Sequence, residues 1–267
     1  MTPTMTTWDP DTYLRYAGER SRPFLDLIAR IDVPVAAVRR VVDLGCGPGQ
    51  LTATLTERWP RANVVGVDSS AEMVERASQF ANDRLTFERG RVEDWAPDRP
   101  VDVIVSNATL QWVPDHRRLF ARWVETLRPH GCLAFQVPGN FDQPSHTILR
   151  DLAHESPYAE HAAAFELRPV VDAVTYLADF TALGCRVDAW ETTYVHVLRG
   201  EDAVFGWISG TGARPVLQAL SDELRPSFER EYKARLRDAY PPTRHGTVLP
   251  FRRIFVVAQA PGEDGAA

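Results

Sequence analysis

The sequence predicts an α/β fold: a mostly parallel, seven-stranded sheet with a helical cap formed by insertions. Three observations lead there. Short apolar runs alternate with helical patterns through the first half, as in stacked βαβ units. A glycine-rich run, Gly45 to Gly49, stands directly between a predicted strand and a predicted helix. The second half changes texture, with long alternating strands separated by helix-rich stretches. A chain of 267 residues allows one to two domains and a sizeable core without disulfide or metal staples.

Arg40–Leu44 (RVVDL) reads as the first strand. Leu51, Leu55 and Trp59 then recur every four residues, a helix stopped by Pro60. Asn63–Val67 is the second strand, and Ser69 with Glu72 forms a capping box for a helix with Met73, Ala77 and Phe80 inward. Leu85–Phe87 is a short third strand and Val101–Val105 a buried fourth. Asp115 is expected to cap a helix with Leu119, Phe120, Trp123 and Leu127 inward, ended by Arg128-Pro129-His130-Gly131. Cys132–Val137 is the fifth strand. Pro144 and Pro157 break helical fragments over 138–169, Asp172–Leu183 is a helix ending at Gly184, and Arg186–Leu198 alternates like a half-exposed strand. Glu201–Ala239 is helix-rich, and Phe251–Gln259 is the final strand. The expected organisation is therefore a helical lid segment (1–39), an α/β core (40–138), cap insertions (139–170 and 200–247), the remainder of the sheet (171–199 and 248–260) and a disordered tail (261–267).

Charge and cysteine usage narrow the functional classes. A formal net charge of −6 argues against a general nucleic-acid binder. No apolar run approaches membrane-spanning length, and the N-terminus lacks a signal pattern. The three cysteines (Cys46, Cys132, Cys185) are odd in number and unclustered, which points to a reducing, cytoplasmic setting. No obligate protein partner is evident. No metal is expected, because His146, His154 and His161 lack suitably spaced acidic or cysteine partners. The 30 basic residues include a single lysine, Lys233. Guanidinium forks bind carboxylates and phosphates bidentately, but genome composition explains the same bias.

The chemistry concentrates in Asp43-Leu44-Gly45-Cys46-Gly47-Pro48-Gly49-Gln50. Glycines there let the backbone turn tightly and approach a ligand, and the next helix offers free N–H groups. A dinucleotide fingerprint counted from Gly45 needs glycine at position 50, which is glutamine. The run is instead acidic-x-G-x-G-x-G. A carboxylate at Asp43 repels a pyrophosphate and suits a ligand bearing an ammonium or sulfonium. Asp68, ending the second strand, is placed to accept ribose hydroxyls, its alternative being a helix cap.

With VVDLGCGPGQ, then VVGVDSS, then VSNATLQW at 105–112, the segment 40–137 resembles the class I S-adenosylmethionine-dependent methyltransferases. The resemblance implies a Rossmann-like core with S-adenosylmethionine bound and S-adenosylhomocysteine released. It implies Gly45 and Gly47 along the methionine moiety and Asp68 at the ribose, with Asp43, Gly49, Ser69 and Met73 also among the cofactor-binding residues. Glu93, Asp94 and Trp95 would lie near the adenine, and Asn107 near the methionine end. One departure stands out: the acid that many members carry just after the third strand is Arg91 here. Arginine has no acceptor, so the adenine contact must come from Asp94, from backbone or from stacking.

Five further segments, at 8–24, 107–116, 137–146, 187–194 and 250–258, resemble the branch of that family that esterifies a carboxylate of small polycarboxylic acids, trans-aconitate foremost. The alternatives are another carboxylate, such as malonyl on acyl-carrier protein, or a non-catalytic S-adenosylmethionine-binding module. A carboxylate is already ionised at neutral pH, so its methylation needs no general base, and no residue is assigned a catalytic proton transfer. The remaining carboxylates need cations. Arg20, Arg22, Arg214, Arg252 and Arg253 are the candidates, with surface snorkelling as the alternative for each. Trp112 is a candidate wall of the transfer site or ordinary core. Tyr13 and Tyr194 are candidate substrate contacts or cap aromatics.

Overall fold

The computed structural model describes residues 17–162 and 170–262. Its strands are β1 (Arg40–Leu44), β2 (Asn63–Asp68), β3 (Leu85–Arg89), β4 (Val101–Asn107), β5 (Leu127–Pro138), β6 (Arg186–Leu198) and β7 (Thr247–Gln259). They form one seven-stranded sheet in the order β3-β2-β1-β4-β5-β7-β6. The first five strands are parallel. β7 runs against β5: the Gly139 N–H donates to the Arg252 carbonyl while the Ala260 N–H donates to that of Gly131. Chain order reverses between β1 and β4. At such a switch point open α/β sheets bind ligands, outside the carboxyl ends of the strands.

The chain divides into two compact units, each with its own apolar cluster. One holds Gly18–Val137, Val170–Thr192 and the chain from Arg253. In it Val42, Leu44, Ile104, Leu133, Phe135, Ile254 and Val256 pack against Trp123, Tyr176 and Phe180. Phe120 anchors that cluster, 4.5 Å from the Phe180 ring and 5.4 Å from that of Phe135. Among the described residues the other unit holds 138–162 and Thr193–Arg252. There Leu149, Leu152, Trp207, Ile208, Phe228, Tyr232 and Phe251 form the cluster. The Tyr232 hydroxyl donates to the Ser145 carbonyl, tying helix Arg225–Ala239 to helix Pro144–Ala153. The tail beyond 262 and the segment before 17 lie outside the described residues.

Several local expectations are corrected. The cap of helix Ala71–Ala77 is Ser70, not Ser69: the Ser70 hydroxyl accepts from the Met73 N–H at 3.3 Å. Glu72 is then two residues beyond the cap, and its carboxylate accepts from the Ser70 hydroxyl at 2.7 Å instead of reaching back to a backbone donor. Asp115 makes no side-chain cap, because it is left-handed at φ 52° and not in the extended region that a cap requires. A 3-10 turn, His116–Leu119, follows it, then the short helix Phe120–Glu125. Leu127 belongs to β5, and Arg128–Gly131 lie within that strand as an irregularity, not a helix terminus. Register jumps there between Val101↔Leu127 and Val103↔Cys132, with His130 at φ 61° absorbing the extra residues. Pro144 starts a helix rather than breaking one, since the first helical position has no N–H to lose. Asp172, read as the first residue of a helix, is instead the cap of helix Ala173–Ala182, accepting from the Thr175 N–H at 2.8 Å.

Candidate active site

The glycine loop joins β1 to helix Gln50–Arg58 and is held down by its neighbours. Gly45 and Cys46 donate their N–H groups to the Val67 carbonyl at 2.7 and 3.1 Å. Gly45, Gly47 and Gly49 have φ of 84°, 55° and 86°, a region that residues with a Cβ seldom adopt. A Cβ on Gly45 would lie 2.0 Å from Thr109 Oγ1, and one on Gly49 would lie 2.7 Å from Ala77 Cβ. A Cβ on Gly47 would meet nothing within 4 Å. The outer glycines therefore permit packing, whereas Gly47 borders open space.

Asp68 faces that space. Its Oδ2 accepts from the Gly47 N–H and its Oδ1 from the Ser70 N–H, both at 2.9 Å. Burial raises its carboxyl above the ordinary range, while those amides pull it back down. Against three amide donors, from Gly47, Ser69 and Ser70, the four lone-pair sites of the carboxylate leave room for a further donor. Asp43 is buried, with Thr52 donating to its Oδ2 at 2.6 Å. Burial is the main cause that lifts its carboxyl to about 7; the Thr52 bond lowers it and the Asp68 charge raises it. Met73 is buried, and Ser69 is exposed.

At the end of β4, Asn107 Oδ1 and Gln111 Oε1 are buried acceptors without a hydrogen-bond partner. Ala108 between them is left-handed at φ 53°, a strained conformation that nothing in the sequence signals. Half-buried Trp112 ends the turn Leu110–Trp112. The loop after β3 is tied beside Asp68 by the Gly90 N–H, which donates to the Asp68 carbonyl at 2.9 Å. In that loop Arg91 pairs with Glu93 at 2.7 Å and with Asp94 at 3.7 Å. Asp94 is exposed, while Trp95 packs on the main cluster. The fold thus gathers Asp43, Gly45, Gly47, Asp68 and Asn107 at the switch point. Open space over Gly47, an acid with room for a further donor and an unpartnered acceptor together fit a nucleoside ligand carrying a positive charge.

The substrate candidates separate. Arg22, Trp112 and Arg253 belong to the unit that holds the glycine loop; Tyr194, Arg214 and Arg252 belong to the other. Arg22 is exposed on helix Ala17–Ala29, near Asp26 at 3.9 Å. Tyr194 is buried, and Arg214 opens helix Arg214–Ala219. The Arg252 backbone is clamped by Asn140, whose side chain both accepts from its N–H and donates to its carbonyl. Arg253 is buried and donates to Gln136 Oε1 at 3.1 Å. Tyr13 and the Arg20 side chain lie outside the described residues. Gln136 escaped sequence reasoning because a glutamine inside an apolar strand run carries no motif.

Comparison with known proteins places this arrangement. A methyltransferase domain model matches residues 41–131. The trans-aconitate 2-methyltransferase of Streptomyces coelicolor is 51% identical over 275 residues, covering 99% of this chain and 90% of that protein. That of Mycobacterium tuberculosis is 48% identical over 259 residues, covering 96% and 97%. Among solved structures, the YcgJ protein of Bacillus subtilis superposes with a TM-score of 0.57 at 19% identity, covering 89% of this chain and 99% of that one. The plantazolicin methyltransferase BpumL, solved with S-adenosylhomocysteine, gives 0.51 at 13% identity over 94% and 90%. At those identities the two structures bear on the fold alone. The identity to the first pair runs nearly end to end, so the chain belongs to the trans-aconitate 2-methyltransferase family.

Proposed function

We propose that this protein transfers the methyl group of S-adenosylmethionine to one carboxylate of trans-aconitate, giving a monomethyl ester and S-adenosylhomocysteine. The observation that carries this reading is the near-half identity to trans-aconitate 2-methyltransferases along almost the whole chain, cap segments included. Bound at the glycine loop, S-adenosylmethionine supplies an electrophilic methyl on a sulfonium. Asp68 accepts from the ribose hydroxyls, and the Gly45–Gly49 backbone, Asp43 and Asn107 hold the methionine end. Ser69 and Met73 flank the ribose. With Arg91 in the usual place of the acid, Glu93, Asp94 and Trp95 supply the adenine side through a carboxylate, backbone and ring face.

The acceptor carboxylate is a nucleophile at neutral pH as it stands, so the chain's task is positioning. Oxygen, methyl carbon and sulfur must be held in line at roughly 3 Å from oxygen to carbon. Opposite charges neutralise during transfer, and a site that excludes water favours this step. Among the described arginine candidates Arg253 is the buried one, and it holds a carboxylate that does not react. A guanidinium clamped on the reacting oxygen would blunt it. Within the unit that holds Arg253, Arg20, Arg22 and Trp112 are the further proposed acceptor contacts. Free, buried Cys46, Cys132 and Cys185 support a cytoplasmic setting.

The test is an endpoint assay with methyl-labelled S-adenosylmethionine and a panel of carboxylic acids, counting base-labile ester label. Label on trans-aconitate is expected. Label confined to a malonyl carrier, or absent from every acid while the cofactor binds, overturns the reading.

A further inference from the structure

The unpartnered polar atoms at the carboxyl edge of the sheet change character from one strand to the next. Asp43 and Val105 are register partners, and so are Asn107 and Gln136. Strand alternation therefore puts Asp43, Asn107 and Gln136 on one face of the sheet. Arg253 reaches the same face through its bond to Gln136. At the end of β4 and in the turn after it they are acceptors, Asn107 Oδ1 and Gln111 Oε1, while the buried Asp43 carboxyl of β1 accepts from Thr52. On β5 there is a donor instead. Gln136 is 0% exposed, its Oε1 accepts from Arg253, and its Nε2 is buried with no partner. The Arg253 bond fixes which end of that amide is the oxygen. A buried N–H without an acceptor is uncommon in a folded protein, and a bound ligand is one source of the missing acceptor.

We propose that Gln136 is a specificity-determining residue: its Nε2, beside the Arg253 guanidinium, holds a non-reacting carboxylate of the acceptor. This rests on the carboxyl-methylating reading above. The division of polarity then orients the reaction. The cationic methyl donor would lie over the acceptors at β1 and β4, and the polyanion beside the Gln136 amide and the Arg253 guanidinium. Glutamine suits the role because its oxygen positions the guanidinium without cancelling its charge. Glutamate at the same place would neutralise Arg253 and repel the substrate.

The experiment uses the full chain with Gln136→Met and Gln136→Glu. Calorimetry measures the Kd of trans-aconitate in the presence of S-adenosylhomocysteine, and steady-state kinetics give KM and kcat for trans-aconitate, itaconate, methylfumarate and glutaconate. Each of those three dicarboxylates lacks a different carboxyl of trans-aconitate. Both variants should raise Kd and KM for trans-aconitate at least tenfold, Glu more than Met, with S-adenosylhomocysteine affinity within twofold of wild type. In Gln136→Met the discrimination against one dicarboxylate should vanish, which identifies the carboxyl that is held. Trans-aconitate constants within threefold of wild type overturn the proposal, as does a loss confined to S-adenosylhomocysteine affinity. Should neither variant fold, the Gln136 side-chain amide resonances of the wild type decide: a shift on adding trans-aconitate supports the contact, and an unmoved pair refutes it. Wild-type turnover of trans-aconitate with unaffected variants defeats this assignment alone. A wild type inert to every acid defeats the parent reading as well.

Discussion

Asp43 shows how one residue links fold and ligand. Its carboxyl sits at about 7, against an ordinary value near 4, chiefly because burial disfavours the charge. A carboxyl raised in the folded state stabilises the ligand-free protein fully below pH ~4, and that contribution fades as pH rises through about 7. For a ligand bearing an ammonium the sign reverses, because only the ionised carboxylate attracts it. S-adenosylhomocysteine affinity should therefore strengthen several-fold between pH 6 and 8, and Asp43→Asn should flatten that slope. Calorimetric titrations at three pH values check this. An equal slope in wild type and variant would remove Asp43 from the methionine end.

At the scale of an element, the β1–loop–helix unit separates packing from binding within five residues. All three glycines carry positive φ, so alanine at any of them costs about 1–2 kcal/mol of backbone strain. At Gly45 the new Cβ also collides with the Thr109 side chain, and stability should fall well beyond that figure. At Gly47 the Cβ enters open space, so Gly47→Ala should cost little more than the strain yet disrupt S-adenosylhomocysteine binding. Denaturation midpoints set beside binding constants make the comparison. Wild-type affinity in Gly47→Ala would show that the space over the loop is not where the ligand lies.

On the scale of the whole molecule, two apolar clusters divide the chain, and β6 and β7 each pass from one unit to the other. Trp207 is buried in the second cluster, its ring 4.6 Å from His196 and 5.6 Å from Phe251. Trp207→Ala should lower stability by about 3–5 kcal/mol through lost transfer energy and a cavity. Asp43, Gly45, Gly47, Asp68 and Asn107 all belong to the other unit. Well below the transition, S-adenosylhomocysteine affinity should accordingly stay near wild type. Urea titration and calorimetry on the same preparation test both halves, and a matching loss of cofactor affinity would contradict the division of labour.

The sequence by itself determined the strands and the glycine loop, because both are local. Alternation and apolar runs mark β1 to β5, and the acidic-x-G-x-G-x-G spacing needs only its own residues to be legible. Where two serines or a single aspartate competed for a cap, the pattern misled. Ser70 displaced Ser69 because Asp68, arriving from β2, takes the Ser70 N–H and fixes where the helix begins. The bulge in β5 reads as a helix terminus in the sequence because long-range pairing decides it: Leu127 and Cys132 pair with β4 on either side, and the Ala260 N–H donates to the Gly131 carbonyl. Gln136 and Arg253 lie 117 positions apart, and no spacing rule connects them. Their meeting is set by β7 running back beside β5, and tertiary structure alone decides that an amide and a guanidinium share a buried face of the sheet.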